Sequence, residues 1–154
     1  MRDLVWPFGH AMQTHPHSIA AFFGMAGVAK WCADEPNAGV GIWESGLDAQ
    51  FADGAGGVDL PLFLLVASIL RPSVFSRSEA TRILEKRVKD PRVKNWPGAL
   101  AQFVLNLIDE RALEERSIHG RDRKAPPSVK WRIAFYKPVL ELDRADLRLT
   151  NSRT

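Results

Sequence analysis

The chain has 154 residues, 45% of them hydrophobic and 25% charged, with a formal net charge of +3. That balance suits one domain with a real core and argues against a disordered or fibrous chain. A single cysteine, Cys32, excludes an intrachain disulfide and a cysteine-based metal cage, and fits a reducing, cytoplasmic setting.

Residues 1–15 read as irregular, without the long uncharged run of a secretory leader. Pro16 suits the first turn of a helix, and "HSIAAFFGMAGVAKWCA" can follow it. Apolar residues surround that helix on most sides, which predicts a buried element. Small residues at Ala21, Gly24 and Gly27 permit close approach of a neighbour, either internally or on a partner helix. The apolar run from Ile19 to Cys32 is too short to span a bilayer and contains Lys30, so no membrane partner is expected.

Residues 34–59 are rich in Gly and Asp and read mostly as a turn-rich linker, with "VGIW" and "AQF" as possible short strands. "GVGIWE" carries Glu44 where a dinucleotide-binding turn needs its third glycine. "GAGG" lacks the Lys-Ser/Thr of a phosphate loop, so no nucleotide cofactor is expected.

"DLPLFLLVASIL" follows as a core helix, with Asp59 as a cap and Pro61 tolerated in the first turn. "RPSVF" breaks it and reads as a short strand. "SRSEATRILEKRVKD" opens with Ser76 and Glu79, three apart, the signature of a capping box. Ala80, Ile83, Leu84 and Val88 share one face, and Arg77, Arg82, Glu85, Lys86 and Lys89 lie on the other. Asn95 and Pro97 then start a third helix, predicted from Trp96 to Ala112. Its buried stripe is Leu100, Phe103, Val104, Leu107 and Ile108. "ALEERSI" reads as a strand, His119–Ser128 as a basic loop, and "VKWRIAFY" as a strand with Val129, Trp131, Ile133 and Phe135 on one face. The tail alternates weakly.

Charge is unevenly spread. Residues 1–59 hold two basic and seven acidic residues, and residues 60–154 hold 19 basic and 11 acidic. Such a split points either to an anionic partner for the second half or to a solvated basic surface beside an acidic neighbour.

Catalytic patterns are sparse. His10, His15 and His17, with Asp34 and Glu35 downstream, are the residues that a metal-dependent enzyme would use, but their spacing straddles Pro16 and matches no helical ligand pair. No metal is expected there. Cys32 in an apolar helix reads as an inert thiol. Glu114 and Glu115 adjoin in a predicted strand and so point to opposite faces. The five tryptophans are scattered and suit core packing better than base stacking.

Taken in order, residues 60–136 give helix, short strand, helix, helix, strand, basic loop, strand. This order resembles a winged helix-turn-helix domain. It implies an α+β fold: an N-terminal segment 1–58, a winged-helix domain 59–137 and a C-terminal extension 138–154. It also implies a non-enzymatic nucleic-acid-binding protein, a DNA-binding regulator or a DNA-contacting subunit, with duplex DNA favoured. Wing cations Arg121, Arg123 and Lys124, together with Arg77, Arg82, Lys86, Lys89, Arg92 and Lys94, would neutralise phosphates. Gln102 and Asn106, four apart on one face of the third helix, can read adenine in principle, but that face carries no Arg or Lys until Arg111, so base specificity is expected to be weak. Leu105 beside them suits a protein contact instead. The alternative is therefore a protein-interaction subunit that docks through the N-terminal helix or the Leu105 face.

Overall fold

The structure, a computed structural model, describes residues 19–47, 58–90, 98–117 and 134–141. Helices account for every regular element among them. They are α1 (Ile19–Cys32), α2 (Pro36–Leu47), α3 (Asp59–Leu70), α4 (Arg77–Val88), α5 (Gly98–Val104), α6 (Glu110–Ser117) and α7 (134–141). The expected α+β fold with a winged-helix hairpin is therefore corrected to an all-helical one among the described residues.

The reasons for the correction are local. "VGIW" lies inside α2 rather than in a strand. Pro36 starts this helix where its missing N–H costs nothing, and Gly39 N–H donates to Glu35 O at 3.0 Å. Val40 and Trp43 are buried at helical spacing. "RPSVF" forms a turn, closed by Val74 N–H to Arg71 O at 2.9 Å. "ALEERS" belongs to α6. Asp109 caps it through Oδ1, which accepts from Ala112 N–H at 2.8 Å, and Arg111 pairs with Glu115 one turn on at 3.1 Å. Leu113 is fully buried by this arrangement. The last expected strand overlaps α7, where Tyr136 and Leu140, four apart, are 5% and 7% exposed. Strand alternation puts Phe135 inside and Tyr136 outside, and the helix reverses them. Residues 129–133 lie outside the described residues.

α3 is the centre of the core. Leu60, Leu62, Leu64 and Leu65 are all buried, so the helix is covered on nearly every side. It packs against α1, α2 and α4. The most extensive pairing is α1 against α2. Gly27, Gly39 and Gly46 make that closeness possible. A Cβ on Gly27 would collide with the Trp43 indole, and one on Gly46 would come within 2.7 Å of Leu60 and Phe23. Trp43 stacks between Trp31 and Phe63, with ring centroids at 5.8 and 5.4 Å.

Both α1 and α5 end in the same way. Asp34 (φ 60°) and Asn106 (φ 58°) take the left-handed conformation. After α1, Asp34 N–H donates to Trp31 O at 3.2 Å and Glu35 N–H to Lys30 O at 3.0 Å. After α5, Asn106 N–H donates to Phe103 O and Leu107 N–H to Gln102 O, both at 2.9 Å. These paired bonds define a Schellman motif, built here on Asp and Asn in place of the usual glycine. The predicted third helix is thereby split after Val104.

Candidate functional site

The split helix rearranges the surface on which nucleic-acid reading was expected. Gln102 and Asn106 no longer share a helix face, because Asn106 sits in the left-handed turn. The Gln102 side-chain oxygen accepts from the Arg116 guanidinium. Leu105, expected to face outward, is half-buried against the core. Leu107, expected inside, is 64% exposed. Helical periodicity assigned these two leucines to the wrong sides because it carried one phase through the Asn106 turn.

Three of the α4 cations share one groove with carboxylates. Ser76 caps the helix by accepting from Glu79 N–H at 3.4 Å. Arg82 Nε donates to Glu79 Oε2 at 2.8 Å. That hydrogen bond lowers the Glu79 carboxyl below its ordinary range and raises the Arg82 guanidinium. Arg82, Lys86 and Arg87 line an open groove of ≈450 Å³ together with Glu44, Glu79 and Asp90, three cations and three carboxylates. Lys89 is exposed just past the helix, and Arg77 is half-buried at its start. Arg92, Lys94, Arg121, Arg123 and Lys124 lie outside the described residues, as do His10, His15 and His17. The two carboxylates placed with those histidines have other partners. Asp34 Oδ1 accepts from Arg71 at 3.0 Å, and Glu35 pairs with Lys30 at 2.8 Å. Arg71 also lies 5.8 Å from the Trp31 ring centroid, which ties the α1–α2 turn to the end of α3.

Two exposed apolar surfaces emerge that periodicity did not reveal. On α1, Met25 is 76% and Val28 39% exposed, with Ala29 and Cys32 exposed beside them. Their spacing of 0, 3, 4 and 7 puts all four on one stripe. The small residues Gly24 and Gly27 face inward: Gly24 O accepts from Trp43 Nε1 at 3.2 Å. The second surface is a groove of ≈470 Å³ between the α5–α6 turn and α7. Phe103, Leu107 and Ile108 supply its apolar wall, and Asp109, Glu110, Lys137 and Glu141 its polar rim.

No helix among the described residues is long and apolar enough to cross a membrane. Comparison with protein-family models, with curated proteins and with solved structures returns no match.

Proposed function

We propose that this chain is a non-catalytic helical interaction module that acts in the cytoplasm as a subunit of a larger protein assembly. The carrying observation is the α1 stripe, with Met25 76% exposed. Isolated exposed apolar residues are ordinary, but a contiguous stripe on one helix is a recognised mark of a protein contact. Burial of an exposed methionine side chain is worth up to about 1.5–3 kcal/mol, and Val28, 39% exposed, adds a fraction of that.

The test is site-specific photo-crosslinking in cells, with the crosslinker at Met25 and, as a control, at Lys86. A discrete adduct from position 25, absent from position 86 and lost on Val28→Glu, is the expected result. Equal labelling at both positions would sink the reading.

A second reading keeps nucleic acid as the partner. The excess of basic residues in 60–154 supports it. Under it, the full chain binds duplex DNA, single-stranded DNA or RNA with an affinity that falls steeply as salt rises. Absence of salt-sensitive binding to all three removes it.

A further inference from the structure

We infer that the groove between the α5–α6 turn and α7 is a second docking site, whose occupant is a basic amphipathic peptide segment. Its wall is apolar, and Leu107, the residue just after the left-handed Asn106, stands 64% exposed in it. A second leucine-sized side chain placed there would cover Leu107 against Phe103 and Ile108. The rim selects the charge of what surrounds that anchor. It holds three carboxylates, Asp109, Glu110 and Glu141, and one ammonium, Lys137. Lys137 is already paired with Glu110 at 3.0 Å. Asp109 uses Oδ1 to cap α6, which leaves its second oxygen, and Glu141 is exposed at the end of α7. The complementary ligand is therefore an apolar anchor flanked by Lys or Arg within a helical turn, the pattern of a helix laid in a groove.

The net charge of the chain sharpens the test. At +3, non-specific attraction favours an acidic peptide. A preference for a basic one has to come from a local site. The site also stands apart from the α1 stripe, so either proposal can fail alone.

The experiment uses the full chain and two fluorescein-labelled helical peptides with the same leucines, one carrying Lys and the other Glu on its polar face. Anisotropy should show the Lys peptide binding about tenfold or more tightly, an advantage that shrinks as salt rises. Leu107→Ser should weaken it about tenfold, Glu141→Lys should erase the preference, and Met25→Lys should change nothing. All three side chains are exposed, and circular dichroism checks that each variant folds. The inference is overturned if the Glu peptide binds as well as the Lys peptide, or if Leu107→Ser has no effect. It is equally overturned if Leu107→Ser abolishes a concentration-dependent self-association of the chain, because a second copy is then the occupant.

Discussion

The Trp43 indole lies directly against Gly27, so that any side chain at position 27 would displace it. Gly27→Ala therefore forces α1 and α2 apart and should cost about 1–3 kcal/mol, as overpacking of a filled core does. Gly41 lies on the same helix as Trp43, and a methyl group added there would meet nothing within 4 Å. Gly41→Ala should stabilise by about 0.5–1 kcal/mol, because it adds helix propensity without a collision. Urea denaturation of the two variants gives opposite signs if the α1–α2 packing is as described.

Asn106 should accept only residues that tolerate a left-handed backbone. Asn106→Val is expected to lose about 1–2 kcal/mol relative to Asn106→Gly. Equal denaturation midpoints for the two would mean that α5 does not end in this turn.

Leu105 and Leu107 offer a direct check of the same break. Leu107→Lys should leave stability within about 0.5 kcal/mol, because the side chain is exposed. Leu105→Lys should destabilise clearly more, because it pulls a half-buried leucine off the core. The opposite order would restore one continuous helix through residue 112.

Glu79 sets a small acid dependence. Its carboxyl is held below the ordinary value of 4.5, first by the hydrogen bond from Arg82. A depressed folded-state pKa contributes stability that is fully present above the unfolded value and is lost as pH falls through the folded one. The gap between the wild type and Glu79→Gln should therefore be flat at neutral pH, narrow below about pH 4.5 and shrink with salt. Urea midpoints measured across that range test it, and a gap that widens on acidification would contradict the assignment.

Much of the fold was legible where one signal dominated. The apolar encirclement of residues 60–70 announced a core helix, and Ser76 with Glu79 announced the start of α4. The capping bond is present at 3.4 Å. The third helix misled because its apolar spacing continues past its end. Leu107 and Ile108 fit the pattern of Leu100 and Val104, and only Asn106 carries a stop signal, a weak one compared with glycine. In two further places alternation and helix propensity point to different elements, and propensity prevails. "ALEERS" is built from strong helix formers behind a capping Asp109, and Tyr136 with Leu140 form a helical pair inside a segment that also alternates. α2 was hidden for the opposite reason. Its glycines look like loop residues, yet Gly39 and Gly46 are where other chain segments come closest. The candidate surfaces were the least legible part. Nothing local distinguishes Met25 from a core methionine, since exposure depends on which sides of α1 other helices cover.

The pairing of helices in chain order has a kinetic consequence. α1 packs on α2, α2 on α3, α3 on α4, α4 on α5 and α5 on α6, and the further contact of α1 with α3 skips only one element. Few long loops have to close before the first favourable contacts form. Helical domains with such local connectivity reach the native state on the order of microseconds to milliseconds. α2 to α6 can each dock on its predecessor as it leaves the ribosome, and α1, apolar on most sides, gains a cover for its inner face as soon as α2 is made.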